Sequence, residues 1–324
     1  MAKLPVDIKL GKIGLGMFPF SGVFRPITQE TIEAVTDKYI DLGGRYFETA
    51  PVYPKTYDAK KLLSRYNRDD IFVATKCVTG PTKQSDEVTR SGKREHILWQ
   101  VDEELKRLGC EYIDLLQSHI TPPDVTPDEF MQTIEELLSS GKVKNFGMSN
   151  VSLEGLKAFN KNGHISWVQN RLSLVHHKAY DPIEDYCAKN GIKLNCYQVV
   201  ERGQLLDKSA FDNSFDKKDV RSKKTEYTGE ENRVVRQWFM DEIMPVAKQF
   251  NIHPNQLAVG WALAQSVVGL AVIGATSPQQ LDDFFGINQE QLKPALPAID
   301  AAIHNLRQTV QSEFGVTLEE FRGA

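Results

Sequence analysis

Cysteine is scarce in this sequence, and its four copies among 324 residues show no CxxC spacing. No charged segment followed by an apolar core opens the chain, as it would in a secretory signal peptide. These two absences favour a reduced, cytoplasmic setting. An excess of positive charge is also missing, because the formal net charge is −4. A nucleic-acid partner would need a basic surface, so we expect none.

Groups of histidine or cysteine with metal-ligand spacing are absent as well. His176 and His177 are adjacent, but neighbouring side chains point in different directions and no partner follows at ligand spacing. We therefore expect no bound metal. A metal-dependent hydrolase with a barrel fold is one candidate function, but the sequence offers no ligand set for it.

One long apolar run, residues 257–275, contains 19 residues without a charge and meets the length criterion for a membrane helix. It lacks a flanking basic cluster, and Gln265 and Ser266 interrupt it. Its first half is typical of a helix, whereas its second half is β-rich and ends in glycine. We expect a helix followed by a strand, and no membrane association.

The chain does contain a regular alternation of short strand-like runs and longer amphipathic segments, which is the repeat that builds a parallel sheet. With 41% hydrophobic residues it can also fill a large core. Eight such units over about 250 residues predict an α/β protein with a closed (β/α)8 TIM barrel, residues 1–324 forming a single domain. The predicted strands are residues 12–17, 45–49, 71–76, 112–119, 143–150, 165–170, 193–197 and 269–275.

Two segments depart from the plain repeat. A long polar loop, residues 201–233, follows strand 7 and contains the basic run 217–224, before an extra helix over residues 232–250. The basic run is either a solvated connection or a flap that touches cofactor phosphates. The second departure is a C-terminal helical tail, from Gly286 to near Phe321.

Four polar residues close or follow three of the predicted strands: Glu48, Tyr53, Lys76 and His119. The carboxyl ends of parallel barrel strands meet at one rim, where barrel active sites lie. A tyrosine phenol, with a reference pKa of about 10, can protonate an alkoxide formed at a carbonyl. A lysine within about 4–6 Å would lower that pKa, and a carboxylate could hold the lysine. Each residue alone also suits a structural role, but together they predict a proton-donating site.

Several motifs, in order and at matching spacing, make the sequence resemble the aldo-keto reductases over nearly its whole length. The resemblance implies a (β/α)8 barrel enzyme that uses NADPH or NADH, without metal or flavin, to reduce aldehydes and ketones or to oxidise alcohols. Tyr53 would be the general acid, Lys76 would tune its pKa, His119 would orient the carbonyl and Glu48 would hold Lys76. The motifs are ETAPVY, ATK, DLLQSH, LLSSGKVKNFGMSN, WVQN, YQVVERGQLL and VIGATSPQQLDD.

The same resemblance implies a coenzyme site around the rim. Ser149, Asn150 and Gln169 would hydrogen-bond the nicotinamide carboxamide, and Tyr197 would stack on the ring. The backbone at the first strand end would approach the coenzyme closely. The further coenzyme-binding residues are Gly16 and Met17 at that strand end and Gly274, Thr276, Ser277, Gln280 and Asp283 near the adenosine half.

Three positions depart from the family pattern. Glu48 stands where the family has aspartate, which moves the carboxylate outward by about 1.5 Å, but we expect its pair with Lys76 to persist. Gln280 stands where many NADPH-preferring members have arginine. We expect NADP(H) over NAD(H), with the basic run 217–224 as the candidate source of positive charge. Gln198–Val200 replaces the usual Ser-Pro-Leu, which leaves phosphate contacts there open.

The expected partner is a small-molecule carbonyl or alcohol substrate, and a homo-oligomer stays open. An aromatic first loop with Phe18, Phe20 and Phe24 would border that substrate. The alternative function is a cofactor-binding regulatory or assembly protein with weak turnover, as in the potassium channel β subunits. Glu48 motivates that alternative, because it changes the reach of a catalytic carboxylate.

Overall fold

A computed structural model describes residues 10–54, 56–207 and 215–322. Eight parallel strands form a closed barrel, in which each strand lies beside its neighbours along the chain, and two further strands form an antiparallel hairpin. The barrel strands confirm the predicted (β/α)8 fold. In chain order the strands are β1 (Ile13–Gly16), β2 (Tyr46–Glu48), β3 (Phe72–Cys77), β4 (Thr79–Gly80), β5 (Thr89–Arg90), β6 (Leu115–Ser118), β7 (Phe146–Ser149), β8 (Ile165–Arg171), β9 (Lys193–Tyr197) and β10 (Val268–Ile273), of which β4 and β5 make the hairpin.

Successive side chains on these strands point alternately to the inside and to the outside of the barrel. Tyr46 points inward, where it stacks on Phe72 at 5.3 Å between ring centroids. Phe47 points outward and meets the ring of Tyr39 at 5.3 Å. Because the inner residues fill the barrel, the open rim at the carboxyl ends is the place left for a site. The inner cluster comprises Tyr46, Phe72, Ala74, Leu115, Trp167, Leu270 and Val272.

The helices begin and end where the sequence supplies capping groups. The Thr28 hydroxyl accepts a hydrogen bond from the Thr31 amide at the start of α1 (Gln29–Asp41). α3 (Arg94–Leu108) ends at Gly109, whose left-handed backbone suits glycine. The remaining helices are α2 (Ala59–Leu63), α4 (Pro127–Ser139), α5 (Leu153–Phe159), α6 (Glu184–Asn190), α7 (Thr225–Thr228), α8 (Glu230–Trp238), α9 (Met244–Gln249), α10 (Pro254–Ala264), α11 (Gln279–Phe285), α12 (Gln289–Leu292), α13 (Leu296–Phe314) and α14 (Leu318–Phe321).

The apolar run 257–275 divides as predicted into a helix and a strand. It supplies most of α10 and all of β10, with Gln265 and Ser266 in the connection between them. Across the described ranges, the structure contains no helix that is both long and apolar enough to cross a membrane.

The segment after β9 differs from the sequence prediction in its detail. Residues 208–214 of the predicted loop, like both ends of the predicted domain, lie outside the described residues. The predicted extra helix is present as α8 and α9, but a π-helical turn, Phe239–Ile243, separates them. Pro245 has no amide hydrogen to donate, and the Met244 amide instead reaches the carbonyl of Phe239. The tail is helical through α12, α13 and α14, as predicted.

Candidate active site

A cavity of about 700 Å³ opens at the carboxyl ends of the barrel strands. Every barrel strand contributes to it, because parallel strands in a closed barrel end at the same rim. A site here can therefore draw side chains from the whole length of the chain. The contributing residues at or next to the strand ends are Gly16, Glu48, Lys76, His119, Ser149, Gln169, Tyr197 and Ile273.

Nearly all of the site residues predicted from the sequence line this cavity, but two do not. Met17 is buried in the core, and its amide donates to the carbonyl of Glu48 at 2.8 Å. Ser277 is partly exposed beside the cavity, where its carbonyl accepts from the Gln280 amide at 3.3 Å. The predicted residues that line the cavity are Gly16, Glu48, Tyr53, Lys76, His119, Ser149, Asn150, Gln169, Tyr197, Gly274, Thr276, Gln280 and Asp283.

The predicted catalytic residues form a connected cluster. The Lys76 ammonium lies 3.2 Å from the hydroxyl oxygen of Tyr53 and forms an ion pair with Glu48. The Tyr53 hydroxyl also lies 3.2 Å from Oε1 of Glu48. Glu48 and Lys76 are both buried, with 4% and 2% of their surface exposed. The longer glutamate side chain therefore still reaches Lys76, and it touches the phenol as well.

Burial dominates the ionisation of this cluster. It lowers the pKa of Lys76 to about 7, because the ammonium loses its hydration, while Glu104 acts in the opposite direction. Burial raises the pKa of Tyr53, and the phenols of Tyr197 and Tyr57 raise it further. This direction is opposite to the lowering that we expected from Lys76. The consequence is a phenol that keeps its proton at neutral pH.

His119 lies beside Tyr53 as a neutral imidazole. The two rings meet edge to face, with 6.4 Å between their centroids. Burial, with the charges of Lys76 and Arg90, lowers the pKa of His119 to about 3. A neutral imidazole carries one N–H that can donate to a carbonyl oxygen. The position suits the orienting role expected from the sequence.

The four polar residues expected at the nicotinamide are linked by hydrogen bonds. Tyr197 donates to the Asn150 side chain at 2.6 Å, and Asn150 donates to the carbonyl of His119 at 2.9 Å. The Ser149 hydroxyl donates to the carbonyl of Gln169 at 2.9 Å. Within the described residues, the buried Nε2 of Gln169 has no hydrogen-bond partner. This amide is therefore poised to bind a polar group of a ligand.

At the far end of the cavity, the structure adds a cation that the sequence analysis missed. The Arg25 guanidinium donates to the Thr276 hydroxyl, although 251 positions separate the two residues. Gln280 accepts from the Thr276 amide at 2.8 Å. Arg25 thus lies where the segment 274–283 itself has no basic residue. No local sequence signal connects Arg25 with this segment.

The basic run 217–224 reaches the cavity through an arginine and not through its lysines. Arg221 lines the cavity, whereas Lys217, Lys218, Lys223 and Lys224 do not. Asp219 holds Arg221 at 2.6 Å. One residue of the run therefore lies where the flap interpretation requires a cation, while its contact with a coenzyme phosphate stays a prediction. Arg202, which lies within the motif YQVVERGQLL, is a third lining arginine that the sequence analysis did not name.

The aromatic first loop contributes two of its three phenylalanines to the cavity. Phe18 and Phe24 line it, and the ring of Phe18 lies 5.0 Å from the ring of Tyr53. Phe20 does not line the cavity, because it is fully buried and packs against Tyr57 at 5.8 Å.

Among the described residues, no three His, Cys, Asp or Glu side chains are grouped so that they could hold a metal ion.

A (β/α)8 barrel with tyrosine, lysine, histidine and a carboxylate at its carboxyl rim defines the class of NAD(P)H-dependent barrel oxidoreductases. Residues 12–301 match the Aldo/keto reductase family, and the chain belongs to that family. It is an NAD(P)H-dependent enzyme that reduces aldehydes or ketones or oxidises the corresponding alcohols. This confirms the function expected from the motifs.

Similar proteins support the assignment over most of the chain. Aldo-keto reductase YhdN of Bacillus subtilis is 28% identical over 287 residues, which cover 85% of this chain and 84% of that protein. The NADH-specific methylglyoxal reductase of Escherichia coli is 26% identical over 305 residues, covering 87% and 91%. The structure of the glycerol dehydrogenase AKR11B4 from Gluconobacter oxydans is 26% identical, with a TM-score of 0.80 and coverage of 94% and 95%.

Proposed function

We propose that Tyr53 is the general acid of this reductase. Its hydroxyl is held by Lys76 and Glu48, at 3.2 Å from each, and this geometry is the observation that carries the proposal. A nicotinamide coenzyme, when bound, would supply the hydride for the carbonyl carbon. Tyr53 then gives its proton to the carbonyl oxygen, and the phenolate takes a proton back from water. His119, as a neutral donor, orients the carbonyl toward the phenol.

The cavity fits a nicotinamide coenzyme at both ends. Gln169 offers a buried amide that has no partner within the described residues, which suits a carboxamide. A Cβ at Gly16 would lie 3.0 Å from Cγ1 of Val272 and 3.4 Å from Oε2 of Glu48, so a side chain there would crowd the carboxylate that holds Lys76. Arg25 and Arg202 line the same cavity, where they would hold negatively charged phosphates.

For the coenzyme, we propose that NADP(H) is preferred over NAD(H). A 2′-phosphate needs a cation, and Arg25 supplies one beside Thr276 and Gln280. Among the relatives, one is by its name NADH-specific, while the aldo-keto reductase yakc of Schizosaccharomyces pombe is named for NADP(+). The family therefore includes both kinds, and the preference of this chain depends on its own residues.

For the substrate, we propose a small polar carbonyl such as a short sugar or polyol aldehyde. The space above Tyr53 is bordered by Phe18, Phe24 and Val52, which offer apolar faces beside the polar cluster. Two relatives are named for reactions of methylglyoxal and glycerol, which are both small oxygenated compounds.

For the cellular setting, we propose a reducing, cytoplasmic environment, which the four unpaired cysteines support.

The test is oxidation of NADPH by a panel of aldehydes and ketones, with Tyr53→Phe as the control variant. We expect Tyr53→Phe to lower kcat by at least about a hundredfold, the usual contribution of a general acid, with little change in coenzyme affinity. Tight coenzyme binding without turnover above the Tyr53→Phe level would reject the proposal and favour the regulatory alternative.

A further inference from the structure

The turn that follows β9 has an unusual backbone. We call residues 198–204 the cavity-lining turn. Three of its non-glycine residues have left-handed backbones: Gln198 with φ 56°, Glu201 with φ 47° and Arg202 with φ 51°. Such conformations are unfavourable for residues with a side chain, so the surrounding structure must hold the turn in shape. Its members Gln198, Val199, Val200, Arg202 and Gly203 all line the cavity.

A fully buried carboxylate anchors this turn from below. Glu201 has 0% of its surface exposed and accepts hydrogen bonds from Ser173 at 2.6 Å and from Nε of Arg171 at 3.2 Å. Arg171 stands at the carboxyl end of β8. Burial acts to raise the pKa of Glu201, but the charges of Arg171 and Arg322 outweigh it and lower this pKa to about 2. Glu201 is therefore a paired anion that ties the turn to the barrel.

The second guanidinium on Glu201 comes from the last helix of the chain. Arg322 follows α14, is buried, and donates to Glu201 at 3.2 Å, across 121 positions. It also donates to the Gln204 side chain at 2.7 Å and to the carbonyl of Glu226 at 3.2 Å. The Arg322 side chain thus connects the C-terminal tail with Glu201 and Gln204 of the cavity-lining turn and with Glu226.

We propose that Arg322 is a positioning residue for coenzyme binding, acting through Glu201 and Gln204 on the cavity-lining turn. The inference rests on the proposal that the cavity binds a nicotinamide coenzyme. Without Arg322, the strained turn samples shapes that do not fit the coenzyme. The apparent dissociation constant rises by the inverse of the fraction that remains competent.

The experiment measures the dissociation constant of NADPH by fluorescence titration for the intact chain, Arg322→Ala, Arg322→Lys and Lys293→Ala. Lys293→Ala is the control, because Lys293 forms an exposed ion pair with Glu290 at 2.9 Å in the same C-terminal tail, and that pair includes neither α14 nor the turn. Arg322→Lys keeps the charge but cannot span Glu201 and Gln204 together, so it serves if Arg322→Ala does not fold.

We expect the dissociation constant to rise about tenfold in Arg322→Ala and about threefold or more in Arg322→Lys, with Lys293→Ala unchanged. At saturating NADPH, kcat should stay within about threefold for both Arg322 variants, because no reacting group is altered. Unchanged affinity in Arg322→Lys, an equal loss in Lys293→Ala, or a loss confined to kcat would each overturn the inference. Failure of the unmodified chain to bind NADPH would instead refute the proposed function.

Discussion

At the scale of single residues, Glu48, which stands where the family resemblance implies aspartate, matters most for chemistry. Glu48 forms an ion pair with Lys76, and its carboxylate lies 3.2 Å from the Tyr53 hydroxyl. The phenol therefore lies between the side-chain nitrogen of Lys76 and the carboxylate of Glu48. Both neighbours can hold its orientation, while burial keeps it protonated.

Replacing Lys76 by methionine should separate orientation of the phenol from binding of the coenzyme. We expect kcat to fall by about a hundredfold or more, because Tyr53 loses the partner that positions it, while the dissociation constant of NADPH changes by a few fold at most. The variant should also lose about 3–5 kcal/mol of stability, since Glu48 is left buried without its cation. Kinetics are therefore measured well below the melting temperature. Equal losses in kcat and in coenzyme affinity would contradict the assignment.

Arg25 is the residue on which the proposed coenzyme preference depends. In Arg25→Ala we expect affinity for NADPH to fall about tenfold and affinity for NADH to stay within about twofold, as a charged contact to the 2′-phosphate is lost. The control neutralises Lys217, Lys218, Lys223 and Lys224, which do not line the cavity. A loss of NADPH affinity in that control, with Arg25→Ala unaffected, would assign the preference to the basic run.

At the scale of elements, strand-like and helical patterns were sufficient to predict all eight barrel strands and the helical tail. The prediction missed the hairpin of β4 and β5, because strands of two residues are too short to show alternation. It also missed the π-helical turn before α9, which depends on how the helix accommodates Pro245. Short or irregular elements leave little periodic signal.

Two helices with the same cap allow the role of the last helix to be tested separately. Thr126 with Glu129 and Thr317 with Glu320 each form a complete capping box, at the starts of α4 and α14. We expect Thr126→Ala and Thr317→Ala each to cost about 1 kcal/mol in unfolding free energy. Only Thr317→Ala should weaken NADPH binding, by about two- to fivefold, because α14 carries Arg322 to the turn. Equal coenzyme affinity in both variants would separate α14 from the site.

At the scale of the whole molecule, the buried His176 and His177 and the partly buried His119 link folding to pH. Burial lowers the pKa of His119 to about 3 and of His176 and His177 to about 4. In the unfolded chain each titrates near 6.5, so between about pH 6.5 and pH 4 the unfolded state binds more protons. The free energy of unfolding should therefore decrease as the pH falls through this window.

Denaturant unfolding measures this dependence at a series of pH values between about 7 and about 4, a range that begins just above the reference pKa of histidine. In His177→Gln, the slope of the unfolding free energy against pH should be smaller, since one buried imidazole no longer takes part. The decrease should correspond to up to about one proton bound on unfolding. His177 packs against Trp261 at 4.8 Å, away from the catalytic cluster, so activity at pH 7 serves as a control. An unchanged slope would show that His177 titrates alike in both states.

The sequence by itself determined the repeating strand and helix units, the four polar residues at or after strand ends that are proposed to be catalytic, and most of the residues that line the cavity. These features depend on local periodicity and on the position of a residue within its own strand. The tertiary structure decided that Arg25 reaches the cavity and that Arg322 contacts the turn beside it, because their hydrogen bonds span 251 and 121 positions. It also decided the ionisation of Tyr53, since the extent of burial follows from packing between elements and not from neighbours along the chain.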